Sequence, residues 1–216
     1  MSHLMMFAVA VILAGVVPTN AEDWQLYSTV GTGGNANLPN TLISVNHQTG
    51  EQTQRGSQGA TPEQFALDVD PISGFLFGTI YTRPGIITRI DSHTGQWSEV
   101  ATLQQHISAL AFSPTGTLYG VSVNNTLGTI NLGKSTFSPI AALDIPGSVV
   151  GIDFSPQGVL YIVDSGYYDV FQQWVRVVDV LTGEITSTIP TGTYNVGDID
   201  FAPDGYIYIR QTTVGP

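Results

Sequence analysis

The chain of 216 residues contains no cysteine and few charged residues. Without cysteine it can form no disulfide bond, no thiolate metal site and no cysteine nucleophile. Charged residues make up 11% of the chain, against about a quarter of an average soluble domain. Long stretches rich in Ala, Glu, Lys and Leu are also missing, whereas Gly and Thr are plentiful. This composition argues against helices and favours an all-β protein.

Positive charge is scarce and scattered along the chain. Six Lys and Arg residues stand against 17 Asp and Glu residues, which gives a formal net charge of −11. Binding to nucleic acid or to an anionic membrane surface needs clustered positive charge, so we expect neither partner. The acidity is compatible with a cation or a neutral sugar as ligand, although its main effect is on solubility.

The N-terminus has the pattern of a secretory leader. An apolar run over residues 4–17 is followed by the small residues Thr19 and Ala21 and then by Glu22. This pattern predicts a signal peptide over residues 1–21 and a mature domain over residues 22–216, secreted or periplasmic. The run is shorter than the roughly 20 residues of a membrane span. Because no Lys or Arg precedes it, an uncleaved anchor is the alternative; after cleavage we expect no membrane span.

A hairpin signature recurs four times along the chain at intervals of roughly 43 residues. Each copy places a proline and, shortly after it, a glycine between two alternating apolar runs. The prolines are Pro71, Pro114, Pro156 and Pro203, and the glycines are Gly74, Gly116, Gly158 and Gly205. Proline presets φ for a turn and glycine supplies a positive φ, so each copy predicts two strands joined by a tight turn.

A second type of turn lies between successive copies of the first. Asn46, Asp91 and Asp179 each begin a short segment that ends four residues later in Gly50, Gly95 or Gly183. Each repeat unit therefore contains four strands, A to D, which in the second unit cover residues 65–70, 75–80, 86–91 and 96–103. Four short strands in each unit predict the blade of a β-propeller, and a β-sandwich or up-and-down barrel is the alternative.

The number of strands leaves the closure of the propeller open. After the predicted leader, the chain begins with a strand of type B at residues 26–29 and ends with strands A and B at 196–202 and 206–211. These strands make about four blades. Either the last strand A closes the first blade circularly, or the propeller is incomplete.

The hairpins at residues 112–119 and 152–161 resemble the repeats of YVTN-type and NHL-type β-propellers. Their sequences are Phe-Ser-Pro-Thr-Gly-Thr-Leu-Tyr and Ile-Asp-Phe-Ser-Pro-Gln-Gly-Val-Leu-Tyr. The resemblance covers the whole predicted mature chain. It implies a propeller fold and a wide range of functions, since that superfamily includes lactonases, lyases, quinone-dependent dehydrogenases and plain binding domains. The Gly-His and Trp-Asp pairs of WD repeats do not recur here.

The candidate ligand-binding residues lie in the loops that join strand B to C and strand D to the next strand A. These loops vary among the units and share one end of a propeller, which we call the loop face. Residues 164–174 form the most unusual loop, in which aromatic rings are positioned to stack on a sugar or anchor a protein. Packing of Trp174 between blades is the alternative. The candidates are Tyr167, Tyr168, Asp169, Trp174, Arg83, Asn124 and Tyr194.

Three aspartates occupy one register on the channel-lining strands A. They are Asp68, Asp153 and Asp200. A ring of carboxylates is a candidate calcium site, because calcium takes six to eight oxygen ligands. Alternatively, each carboxylate bonds backbone N–H groups of a neighbouring blade.

No catalytic motif is recognisable in the sequence. The four histidines are scattered, and the Gly-x-Ser-x-Gly elbow of hydrolases is missing. We therefore expect a non-enzymatic exported module that binds an extracellular protein or glycan without a cofactor. A metal-dependent, lactonase-like hydrolase or lyase that uses the channel carboxylates is the alternative.

Overall fold

The computed structural model describes residues 11–12, 25–30, 40–61, 64–80, 82, 84–165, 173–192, 196–202 and 205–211. They form four antiparallel four-stranded sheets, the blades of a β-propeller, and one further hairpin. Blade I consists of β1 (Val11–Ile12), β2 (Leu26–Val30), β3 (Thr41–Val45) and β4 (Gln52–Arg55). Blade II consists of β5 (Ala66–Val69), β6 (Leu76–Ile80), β7 (Gly85–Ile90) and β8 (Trp97–Leu103).

The second half of the chain repeats this plan. Blade III consists of β9 (Ile107–Phe112), β10 (Leu118–Ser122), β11 (Thr126–Asn131) and β12 (Thr136–Ala142), with a 3-10 turn at Leu132–Lys134 between the last two. Blade IV consists of β13 (Val149–Phe154), β14 (Leu160–Asp164), β15 (Trp174–Val178) and β16 (Ile185–Pro190). The last hairpin pairs β17 (Val196–Phe201) with β18 (Ile207–Gln211). The predicted propeller of four-stranded blades is confirmed.

The first strands of the blades stand side by side around the channel. In chain order, β5 lies next to β9, β9 next to β13 and β13 next to β17, while β1 contacts both β5 and β17. Every blade thus presents its first strand to the centre and its fourth strand to the outside. No helix within the described ranges is long and apolar enough to cross a membrane.

The predicted turns are formed by the predicted residues. Gly116 in the β9–β10 turn has φ 82°, and its N–H donates to the carbonyl of Ser113. In the β7–β8 turn, Oδ1 of Asp91 accepts the N–H groups of His93 and Thr94 at 2.9 and 2.8 Å. The same arrangement recurs at Asn46 and Asp179. The local turn chemistry therefore delimits the strands.

The hydrophobic core lies mainly between the blades. In blades II, III and IV the second strand places an aromatic ring against a ring on the first strand of the next unit. The ring centroids of Phe77 and Phe112 are 5.2 Å apart, and those of Tyr119 and Phe154 are 5.1 Å apart. Tyr161 repeats the contact with Phe201 of the last hairpin at 4.8 Å. These contacts join consecutive units through the same pair of positions.

Closure of the first blade differs from the circular scheme that the strand count suggested. The inner strand beside β2 is β1, in which Val11 pairs with Tyr27 and Ile12 pairs with Leu26. Among the described strands, β17 pairs with β18 alone, so it does not take the inner position of blade I. The apolar run at the N-terminus supplies that strand because its residues can extend along β2. The signal peptide stays a prediction, and cleavage before Glu22 would remove β1.

Candidate functional site

Two of the predicted channel aspartates connect adjacent units through backbone hydrogen bonds. Oδ2 of Asp68 in blade II accepts the N–H of Phe112 in blade III at 2.6 Å, and Oδ1 accepts the N–H of Val69. Asp153 in blade IV repeats this arrangement, with its Oδ2 on the N–H of Phe201 in the last hairpin and its Oδ1 on the N–H of Phe154. Each carboxyl group therefore fastens the end of the next inner strand to its own blade.

Asp200, the third aspartate of the series, is also buried, as is Asp198 two residues before it. Asp198 and Asp200 on β17 are each 5% exposed, and Oδ1 of Asp198 accepts the N–H of Ile199. Asp198 packs so closely on β13 that a Cβ atom at Gly151 would approach its Oδ1 to 2.4 Å. In blade III the series is interrupted by Ala111, which is completely buried. The ring of carboxylates is thus incomplete at blade III.

The channel disfavours the ionised form of these acids. Burial raises the pKa of Asp68 from 3.8 to about 7, although the N–H groups of Phe112 and Val69 lower it. Burial also raises the pKa of Asp153 well above its usual value, and repulsion from Asp68 and Asp198 adds to the effect. Cation binding would require these acids to ionise. Within the part of the chain that the structure describes, no three His, Asp or Glu side chains are grouped to hold a metal ion.

Hydrogen bonds of Asp164, Ser165, Gln173 and Arg176 hold both ends of the loop between β14 and β15, and we call these four residues the frame of the loop. At its start, Asp164 is fully buried and its Oδ2 accepts a hydrogen bond from Nε of Arg176 at 2.7 Å. The next residue, Ser165, donates its N–H to the carbonyl of Ser148, and its Oγ accepts the N–H of Ser148. These bonds tie the beginning of the loop both to β15 and to the segment that leads into β13.

Gln173 fixes the other end of the same loop. Its Nε2 donates to the carbonyl of Asp164 at 2.9 Å and to that of Val196 at 3.3 Å, and its Oε1 accepts the N–H of Val196. The side chain is 4% exposed, so these bonds are shielded from water. A single carboxamide therefore joins both ends of the loop to the first residue of β17.

Asn125 plays the same part between blades III and IV. Its Nδ2 donates to the carbonyl of Gly147 at 2.7 Å, and its Oδ1 accepts the N–H of Val149, the first residue of β13. The backbone of Asn125 has φ 56°, a conformation that asparagine tolerates better than most residues. Asn125 follows the predicted ligand-binding residue Asn124, and its own carboxamide is occupied by the blade junction.

The structure describes two of the seven predicted ligand-binding residues. Asn124 is exposed at the turn between β10 and β11, and Trp174 is half-buried at the start of β15, where it pairs with Pro190. Both lie at the loop face, as does His106, which is buried with its ring edge-on to Phe65. The predicted ligand-binding residues that fall outside the described ranges are Arg83, Tyr167, Tyr168, Asp169 and Tyr194.

No family model matches the chain, and no curated protein is significantly similar to it. The protein is therefore assigned to a fold, the four-bladed β-propeller, and to no family.

Proposed function

We propose that this protein is an exported, non-enzymatic binding module, related to YVTN-type or NHL-type propellers, that holds an extracellular protein or glycan on its loop face. The observation that carries the proposal is the frame beneath the β14–β15 loop. Asp164, Ser165, Gln173 and Arg176 support both ends of the loop with hydrogen bonds. The ion pair between Arg176 and Asp164 has no counterpart in blade III, where the position of Arg176 is occupied by Gly128.

The internal repeat supports this interpretation. In blade III, β10 and β11 are joined by three residues with a single exposed asparagine at the turn, and the Asn125 carboxamide binds the segment that leads into blade IV. In blade IV the corresponding connection runs from Ser165 to Gln173, and a buried ion pair is added at its base. A short turn satisfies the fold, so the longer, aromatic-rich connection indicates a role outside it.

The sequence of this connection has the chemistry of a recognition surface. Two tyrosines and an aspartate stand between Ser165 and Gln173. Tyrosine offers a large contact area with only two rotatable side-chain bonds, together with a hydroxyl group for polar contacts. A carboxylate beside such rings accepts hydrogen bonds from sugar hydroxyls or from peptide N–H groups.

The test is binding of the purified protein to an array of defined extracellular glycans and to immobilised extracellular matrix proteins. We expect a partner whose binding is lost in the double variant Tyr167→Ala/Tyr168→Ala, while the melting temperature stays within about 2 °C of that of the parent protein. A matched control is Tyr206→Ala, at an exposed tyrosine in the turn of the last hairpin at the opposite end. Retained binding in the double variant, or loss of binding in the control, contradicts the proposal.

A further inference from the structure

A surface cleft opens on blade II at the end opposite the loop face. It has a volume of about 240 Å³ and is lined by Phe75, Arg89, Asp91, Gln96, Trp97 and Ser98. Phe75 precedes β6, and Arg89 lies near the end of β7. Asp91 begins the β7–β8 turn and Gln96 ends it, and Trp97 and Ser98 are the first residues of β8. The cleft therefore lies within one blade, and it is separate from the site proposed above.

Two aromatic rings in this cleft are partly open to solvent. Trp97 is 41% exposed and Phe75 is 44% exposed. The guanidinium group of Arg89 lies over the Phe75 ring, with its central carbon 4.7 Å from the ring centroid. This cation–π contact places the charged end of the arginine side chain beside the Phe75 ring. Single exposed rings are common, but two rings beside an ordered arginine form a preorganised surface.

The other blades show that the fold does not require these residues. Arg89 pairs across the sheet with Phe77, and the positions that pair equivalently with Tyr119 and Tyr161 are Thr129 and Val177. Trp97 pairs with Ile90, and the equivalent pairs are Ile130 with Phe137 in blade III and Val178 with Ile185 in blade IV. The combination of an arginine at the first position and an aromatic ring at the second is found in blade II and in none of the other three blades.

The acidic side of the cleft is held in place by hydrogen bonds of the β7–β8 turn. Asp91 accepts the N–H groups of Thr94 and His93, which also lower the pKa of its carboxyl group. The same turn is bound to the connection between blades I and II, because the hydroxyl of Thr61 donates to the carbonyl of Gly95. The carboxylate of Asp91 is thus ionised and positioned before any ligand arrives.

We propose that this cleft binds a single neutral pyranose ring, such as the terminal sugar of a glycan. Arg89 and Asp91 carry opposite charges, so the lining is neutral overall and favours an uncharged ligand. The weakly positive C–H face of a pyranose matches the negative face of the Trp97 ring. Sugar hydroxyls would donate to Asp91 and accept from Arg89, and Gln96 and Ser98 add polar groups at the rim. The cleft is smaller than the roughly 300–1,000 Å³ of sites that bind drug-sized ligands, which fits a ligand of a single sugar ring.

Saturation-transfer NMR with the methyl glycosides of glucose, galactose, mannose and N-acetylglucosamine tests this proposal. We expect saturation of the ring C–H protons of at least one of these probes, and a shift in tryptophan emission on titration. In Trp97→Ile, which installs the residue type found at the equivalent position of blade IV, the affinity should fall by about tenfold or more. In Tyr167→Ala/Tyr168→Ala, which alters the loop face, the signal should remain.

Tyr206→Val is the matched control, because it removes an exposed ring that precedes β18 as Phe75 precedes β6. Its affinity for the probe should equal that of the parent protein. The proposal is wrong if none of the four glycosides gives a signal at tens of millimolar, or if the signal survives unchanged in a folded Trp97→Ile variant. A signal lost in Tyr167→Ala/Tyr168→Ala but retained in Trp97→Ile would place the sugar on the loop face and overturn this assignment.

Discussion

Replacement of Asp68 by asparagine tests whether the channel carboxyl groups hold adjacent blades together through their backbone hydrogen bonds. In the folded protein the pKa of Asp68 is raised to about 7, mainly by burial, whereas in the unfolded chain it returns to its usual 3.8. Below pH 4 the group is protonated in both states. Between pH 4 and 7 the unfolded state loses its proton first, so stability falls as the pH rises, and above pH 7 this group has no further effect.

The size of the effect follows from the difference between the two pKa values. Each unit corresponds to about 1.4 kcal/mol, so the full difference lowers the free energy of unfolding by up to about 4 kcal/mol. Between pH 5 and 7 the change is about 2 kcal/mol, or roughly 4 to 8 °C in melting temperature for a domain of this size. The Asp68→Asn variant cannot titrate, and its amide accepts one of the two N–H groups of Phe112 and Val69 but not both.

The assay is a series of thermal melts at several pH values between 4.5 and 8. The variant should be less stable than the parent at pH 5, by about 1 to 3 kcal/mol for the lost acceptor, and the difference should shrink or reverse by pH 8. Asp179→Asn is the matched control, because it removes one charge at an exposed turn where blade I already has Asn46. If the stabilities of Asp68→Asn and Asp179→Asn depend on pH in the same way, the reasoning that a buried Asp68 links adjacent blades is refuted.

Two further variants test the frame of the β14–β15 loop. Arg176→Met leaves Asp164 buried without its cation and should cost about 3 to 5 kcal/mol, as measured by urea denaturation; a loss below about 1 kcal/mol would mean that the carboxylate is already well satisfied. Gln173→Leu removes the side-chain partner of the N–H and C=O groups of Val196 and should lower the free energy of unfolding by about 2 to 4 kcal/mol. The control is Asn124→Leu at an exposed position of blade III, which should change the free energy of unfolding by no more than about 0.5 kcal/mol. An equal loss of stability in Gln173→Leu and Asn124→Leu would contradict the junction role assigned to Gln173.

The strands could be predicted because their ends are determined locally. Pro and Gly mark the first turn of each blade, and an Asn or Asp that binds N–H groups two and three residues ahead marks the second. Such interactions need only adjacent residues, so a repeated pattern is enough to locate them. The strands predicted for the second unit therefore agree with β5 to β8 to within a few residues.

The inner strand of blade I escaped prediction for a physical reason. Val11 and Ile12 lie in a continuous apolar run, which has no alternation to distinguish a strand from a leader. Their partners, Leu26 and Tyr27, are separated from them by the segment that carries the predicted cleavage site. The two interpretations of this run use the same residues, so composition alone does not separate them.

The blade junctions were missed because they depend on distant partners. Asn125 reaches Val149 across 24 positions and Gln173 reaches Val196 across 23, and neither residue belongs to a recognisable motif. A carboxamide immediately before a third strand was the available signal. The aspartate series was easier, since its shared register had already raised the possibility of bonds to a neighbouring blade, and Asp68 and Asp153 make them.

Thermal melts in EDTA and then in millimolar calcium test most directly whether the channel carboxyl groups bind the blades together or bind a cation. A ligand that binds only the folded state raises the melting temperature by mass action. Because the carboxyl groups of Asp68 and Asp153 are engaged with backbone N–H groups, the account predicts one cooperative transition at the same temperature in both solutions. A clear rise in calcium that disappears in Asp153→Asn/Asp200→Asn would contradict it and would favour the metal-dependent hydrolase or lyase.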